Sequence, residues 1–186
     1  MLIKLRNDII GFFYRNTLKK IFFLMDPESV HDKTVRMGKF LGSNFITRGL
    51  VSLKFNYSNK KLGQNILGLR FNNPVGLAAG FDKNIELVKI LPSVGFGFEE
   101  VGSVTGEPCE GNAKPRLWRL KKSKGLVVNY GLKNEGCKVL SEKLKKIRTK
   151  IPIGISIAKT NCKDTVDTNK GIADYFKAYS AFSAVG

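Results

Sequence analysis

The chain has 186 residues, 42% of them hydrophobic, which is enough for one globular domain with a real core and excludes a disordered polymer. Its formal charge is +17, from 32 basic and 15 acidic side chains. Three widely spaced cysteines, Cys109, Cys137 and Cys162, with no Cys-x-x-Cys pair, exclude a disulfide framework and point to a reducing, cytoplasm-facing compartment.

In chain order, the first segment, Leu2 to Met25, is amphipathic. Leu5, Ile9, Ile10, Phe12, Phe13, Leu18, Ile21, Phe22 and Phe23 are interleaved with basic residues. Such a helix suits a membrane interface or a protein core equally well by periodicity. Lys4, Arg6, Asp8, Arg15 and Lys19 break its apolar run, so no cleavable signal is expected, and no stretch reaches the roughly 18 apolar residues needed to cross a bilayer. Asp26-Pro27 then restarts a helix, an N-cap followed by proline at the first helical position, with Val30, Thr34, Met37 and Leu41 on its buried side. His31, the one histidine, falls inside this helix and reads as a packing or capping residue.

Residues 42–59 read as a polar connection, and 61–71 as a hairpin of two short strands. From Pro74 the pattern alternates: strands at 75–79, 96–104 and 153–158, helices at 85–91, 136–147 and 171–182. Alternating βα units predict a parallel sheet. In the second helix Leu140, Leu144 and Ile147 share the inner face; in the third the inward set is Ile172, Tyr175 or Phe176, Tyr179 and Phe182. Between the second strand and its helix lies an excursion, 105–134, far longer than the roughly two to six residues of an ordinary βα loop, and such loops are usually functional.

Most of the positive charge falls in residues 114–150, with thirteen basic and two acidic groups. No aromatic stacking platform or nucleic-acid motif accompanies it, so a solvated lysine-rich surface is favoured over nucleic-acid binding, with attraction to anionic lipid left open.

The stretch Asn73-Pro74-Val75-Gly76-Leu77-Ala78-Ala79-Gly80-Phe81-Asp82-Lys83-Asn84 reads as a strand of small residues ending in a loop with Lys83 at its tip and Asp82 or Asn84 as cap. This run resembles the flavin-binding segment of the class 2, quinone-linked dihydroorotate dehydrogenases. Gly95 to Thr105, Gly111 to Leu120 and Asp26 to His31 resemble further blocks of that family in the right order.

The resemblance implies an α/β fold, the N-terminal part of a (β/α)8 barrel preceded by an N-terminal helical segment. It divides the chain into residues 1–50, of the membrane and quinone-tunnel type, and 51–186, the first three βα units. It implies FMN-dependent oxidation of dihydroorotate to orotate with a quinone as acceptor, and peripheral attachment to the cytoplasmic side of a membrane. Ala79, Gly80, Phe81, Asp82, Lys83, Ser103 and Ser156 match its cofactor positions. Lys83, Asn129, Tyr130, Gly131 and Leu132 match its substrate positions. In a barrel these residues converge at the C-terminal ends of the strands. No metal and no nucleic acid are expected.

Two departures bear on the substrate. Val128 stands where the family has an asparagine, and Val128 donates no side-chain hydrogen bond; Asn129 replaces it only after a one-residue shift. Ser156 stands at an asparagine position, and residues 160–165 carry two extra residues. A closed barrel takes about 250 residues, so the chain is expected to be an N-terminal fragment, inactive alone, with the catalytic base and later cofactor contacts outside it. The alternatives are a basic, non-catalytic membrane module and an FMN barrel oxidoreductase with another substrate.

Overall fold

The computed structural model describes residues 2–185. In chain order the elements are α1 (Leu2–Phe13), a π-helical turn (Tyr14–Leu18), α2 (Lys19–Leu24), α3 (Pro27–Gly42), α4 (Phe45–Phe55), β1 (Gln64–Ile66), β2 (Leu69–Phe71) and β3 (Gly76–Leu77). There follow α5 (Leu91–Val94), β4 (Phe98–Val104), β5 (Leu117–Leu120), β6 (Gly125–Val128), α6 (Cys137–Lys145), β7 (Ile153–Ile157) and α7 (Thr168–Ser183). They form two compact units: Met1–Thr34 with Lys114–Asn129, and Val35–Ala113 with Tyr130–Gly186.

In the first unit the helix runs on from α1 through the π turn into α2. Leu5, Ile9, Phe12, Phe13, Ile21 and Phe23 are exposed along it. Asp26 caps α3 as expected: its carboxylate accepts the Ser29 N–H at 2.8 Å. β5 and β6 form an antiparallel hairpin with Leu117 opposite Val128. The polar centre of this unit is buried. Arg116 Nη2 donates to Glu28 Oε1 at 2.8 Å, its Nε reaches both carboxylate oxygens at 3.2 Å, and Lys114 adds a third cation contact at 3.2 Å. These cations hold the Glu28 carboxyl below its usual range, the Arg116 hydrogen bond contributing most.

The second unit is built on a parallel sheet in the order β3-β4-β7, with Gly76 beside Phe98 and Glu99 beside Ile153. This is an open part of a barrel wall with helices on its outer face. Val101 and Val104 of β4 pack against Cys137 and Leu140 of α6 and Ala178 and Phe182 of α7. Leu140 is fully buried, so truncation to alanine costs about 2–5 kcal/mol. A second cluster joins Val35 of α3 to Leu87, Ile90, Leu91 and Ile151. α3 comes so close here that a Cβ on Gly38 would sit 2.4 Å from Leu87. The hairpin β1-β2 forms as expected, and the edge of the Phe71 ring meets Phe98 at the N-terminal end of β4.

Four expectations change. Residues 45–55 are the helix α4, not a connection, because Asn44 caps it by accepting the Thr47 N–H at 2.9 Å. Residues 85–90 are turns, and the helix there is only the single turn of α5: Ile85 has a left-handed φ of 57°, and Asp82 takes the Glu86 and Leu87 N–H groups. On α3 Met37 is exposed and Val35 is buried in its place. On α7 the inward residues are Gly171, Asp174, Ala178 and Phe182, while Ile172, Tyr175, Phe176 and Tyr179 face out. Asp174 sets that rotation, since its carboxylate accepts the Gly106 and Thr160 N–H groups and the Thr160 hydroxyl.

Candidate active site

The C-terminal ends of β3, β4 and β7 bring together the loops that carry most of the candidate residues. After β3 the chain passes Ala78 and Ala79 and turns at Gly80, whose φ of 99° favours glycine. Gly80 N–H donates to the Gly102 carbonyl at 2.7 Å, and Gly102 N–H donates to the Asp82 carbonyl at 2.9 Å, so the corner is zipped onto the end of β4. A Cβ at Gly80 would meet nothing within 4 Å. The corner therefore presents an open shelf of small residues with Phe81 exposed beside it.

Asp82 is buried and does not face this shelf. Its carboxylate accepts the Glu86 N–H at 2.8 Å and the Leu87 N–H at 2.6 Å, which makes it the cap of the following turns. Beside it lies Glu99, 1% exposed, with neither carboxyl oxygen hydrogen-bonded among the described residues. Burial, and then the Asp82 carboxylate, push the Glu99 pKa up to about 9, so it is protonated at neutral pH. Nothing in a β-strand pattern flags such a residue except an acid at an inward position.

Lys83 leaves the loop tip with its Nζ 4.2 Å from the centroid of the Tyr130 ring. Asn84 ties the same loop to α6 and the residue leading into it, accepting the Glu135 N–H at 3.1 Å through its side chain and the Lys143 ammonium at 2.5 Å through its carbonyl. On β4 and β7, Ser103 Oγ and Ser156 Oγ are 2.8 Å apart. One hydroxyl hydrogen lies between them, which leaves the other for a ligand acceptor.

Tyr130, Gly131 and Leu132 follow one another in a pinned turn. The Tyr130 carbonyl accepts the Asn112 N–H, and the Gly131 carbonyl accepts Cys109 Sγ at 3.2 Å. The residue that organises this turn is Asn134, 4% exposed, whose significance the sequence pattern did not reveal. Its Nδ2 donates to Thr105 Oγ1 and the Leu132 carbonyl, and its Oδ1 accepts the Thr105 and Gly136 N–H groups. Asn129 belongs to the first unit, where its N–H donates to the Arg116 carbonyl at 2.8 Å. Among the described residues no cluster of His, Cys, Asp and Glu could hold a metal ion, and no helix is long and apolar enough to cross a membrane.

Comparison with known proteins places this geometry. The family profile described as dihydroorotate dehydrogenase matches residues 61–183, the whole of the sheet and its loops. The chain belongs to the dihydroorotate dehydrogenase family. Among its curated relatives is a dihydroorotate dehydrogenase (quinone) of Haloarcula marismortui, 44% identical over 68% of this chain and 35% of the relative. Another, of Synechococcus, is 37% identical over 93% of this chain and 47% of the relative, and one of Rhizobium meliloti is 39% identical over 88% and 41%. These place the chain with the quinone-linked, class 2 dihydroorotate dehydrogenases.

A crystal structure of the Eimeria tenella enzyme in complex with ferulenol aligns with a TM-score of 0.65 at 33% identity, over 79% of this chain and 39% of that one. The ligand-free form of that dihydroorotate dehydrogenase aligns with a TM-score of 0.58. The chain thus spans about half or less of the length of the relatives it matches.

Proposed function

We propose that this chain supplies the cofactor- and substrate-facing corner of an FMN-dependent dihydroorotate dehydrogenase that passes electrons to a quinone, and that it is an N-terminal part, inactive alone. The observation that carries this is the Lys83 ammonium over Tyr130 beside the open Gly80 shelf, at the strand ends of a chain belonging to this family.

The residues present fit a flat, anionic cofactor. The Gly80 side is free of side chain, the Ser103 and Ser156 pair has a hydroxyl hydrogen to give, and Lys83 brings fixed positive charge. Ala79, Gly80 and Phe81 would line the ring, with Asp82 holding their turn from beneath, and Lys83, Ser103 and Ser156 would bond it. Bound there, FMN would supply the hydride acceptor for the oxidation of dihydroorotate to orotate, with a quinone as the final electron acceptor. Lys83 would offset the charge of the anionic substrate, while Tyr130, Gly131 and Leu132 of the same unit line it. In this reading the base that removes the ring proton would come from barrel units other than those of residues 1–186.

Residues 1–50 form the membrane-side segment in this reading, with 51–186 as barrel wall. The exposed Phe12, Phe13, Ile21 and Phe23 among lysines support peripheral attachment to the cytoplasmic face of a membrane. The test is to co-express residues 1–186 with the remaining barrel units of a relative. A yellow complex that oxidises dihydroorotate, and loses that activity with Lys83→Ala, is expected; a colourless complex after FMN addition would overturn the proposal.

A further inference from the structure

A cleft of about 780 Å³ in the second unit is lined by α4, the turns around α5 and the segment joining α6 to β7. It shares no residue with the Lys83 corner. Five cations converge on it from three separate stretches of chain: Arg48 of α4, Lys89 ahead of α5, and Lys146, Arg148 and Lys150 after α6. No aspartate or glutamate lines it. Ser52, Ser93 and Thr149 add hydroxyls.

An ordinary solvated lysine surface spreads cations over convex helix faces and intersperses them with acids. The adjoining cleft does so: it shares Lys89 and Lys146, but Glu86, Glu135 and Glu142 are interspersed among its five lysines. In the first cleft none of the five cations is in a salt bridge among the described residues. Arg48 is held in place by a 2.7 Å bond from its Nη1 to the Gly42 carbonyl, so at least one cation is positioned before any ligand arrives. Like charges gathered in a concavity without an ion pair raise the local anion concentration and are relieved by a multiply charged partner. Guanidinium and ammonium groups with hydroxyls between them are the donor set that phosphate oxygens take.

We propose that this cleft binds an anion carrying two or more phosphate groups, presented either free in solution or as the phosphorylated headgroup of a lipid. It accounts for the basic end of the 114–150 stretch, which the dehydrogenase reading leaves without a role.

The test uses the full chain, with two triple variants of equal charge loss. One is Lys146→Gln/Arg148→Gln/Lys150→Gln in the cleft, with Arg48 retained to keep α4 anchored. The other is Lys121→Gln/Lys122→Gln/Lys124→Gln, at the turn of the β5-β6 hairpin. Calorimetry with pyrophosphate and with inorganic phosphate reads the free source. Flotation with vesicles containing phosphatidylinositol 4-phosphate, against phosphatidylcholine alone, reads the lipid source. Expected is at least tenfold weaker binding of one or both probes by the cleft variant, less than twofold loss by the hairpin variant, and measurable loss from Lys89→Gln alone should the cleft triple fail to fold. Pyrophosphate binding assigns a free ligand, and binding to phosphoinositide vesicles alone assigns a headgroup; either supports the site. Equal losses in both triples, no binding to either probe, or unaltered binding by the cleft variant would overturn it.

Discussion

The Lys83 ammonium and the Tyr130 ring, 4.2 Å apart, join two loops that are 47 residues apart in the chain. The contact is worth about 0.5–2 kcal/mol depending on desolvation. Tyr130→Leu should therefore loosen Lys83 and weaken substrate or FMN affinity of the reconstituted enzyme about 2- to 30-fold, whereas Tyr130→Phe, which keeps the ring face, should stay near wild type. Flavin fluorescence titration and KM measurement separate the two variants. Equal behaviour of Leu and Phe would show that the ring face does not position the cation.

Glu99 makes stability fall as pH rises. Its folded pKa of about 9 lies above the unfolded value near 4.5, so the folded state binds its proton more tightly. The associated stability is fully present below about pH 4.5 and is lost progressively until the pH passes about 9. Glu99→Leu removes the buried carboxyl with little change of volume and should stabilise the fold by about 1–4 kcal/mol at pH 8, with a much smaller gain at pH 5. Urea midpoints at the two pH values check this, and a gain independent of pH would contradict the assignment of the proton to Glu99.

The Arg116–Glu28 pair carries the opposite sign. The Glu28 pKa is lowered, chiefly by the Arg116 hydrogen bond, so its contribution is present above the unfolded value near 4.5 and disappears as pH falls through the lowered one. Arg116→Ala leaves a buried carboxylate with only the largely exposed Lys114 beside it and should destabilise the first unit by about 3–5 kcal/mol. Amide exchange in α3 and β5 reports it. Arg116→Lys should recover only part of the loss, because an ammonium lacks the planar fork that spans both oxygens.

The alternating elements from Gly76 to Ser183 were legible because buried strands and amphipathic helices carry different periods, and Leu140, Leu144 and Ile147 mark one face of α6 without ambiguity. α4 was not read although Ile46, Leu50 and Leu53 fall at helical spacing: Gly42, Ser43 and Asn44 read as loop and extended that reading over the segment, and the structure leaves the apolar stripe exposed. The orientation of α7 failed for a related reason. Its aromatic stripe at Tyr175, Phe176 and Tyr179 looks like a core face, yet the helix turns on Asp174, a polar residue that the Gly106 and Thr160 amides require. Periodicity shows that a helix has faces; which face is buried depends on partners distant in the chain. Within the site, Lys83 and the capping role of Asp82 could be read from the motif, whereas the buried proton on Glu99 depends on tertiary burial.

Asn134 shows the same limit and yields the last prediction. In sequence it closes the turn Gly131-Leu132-Lys133-Asn134; in the structure its side chain joins Thr105, at the end of β4, to Leu132 and Gly136 across the mouth of the excursion. Asn134→Ala removes every one of those bonds and leaves the Thr105 and Gly136 N–H groups short of a partner in a buried setting, while Thr105 Oγ1 still donates to the Glu107 carbonyl, a loss of about 2–4 kcal/mol. Aspartate can accept the same two N–H bonds but cannot donate to the Leu132 carbonyl, so Asn134→Asp should fall between alanine and wild type at neutral pH. The turn carrying Tyr130, Gly131 and Leu132 would loosen with it. Faster amide exchange at Thr105, Leu132 and Gly136 is expected in both variants, with α7 amides unchanged because Asp174 anchors that helix independently. Uniform acceleration across the second unit would mean instead that Asn134 supports the whole sheet rather than this turn.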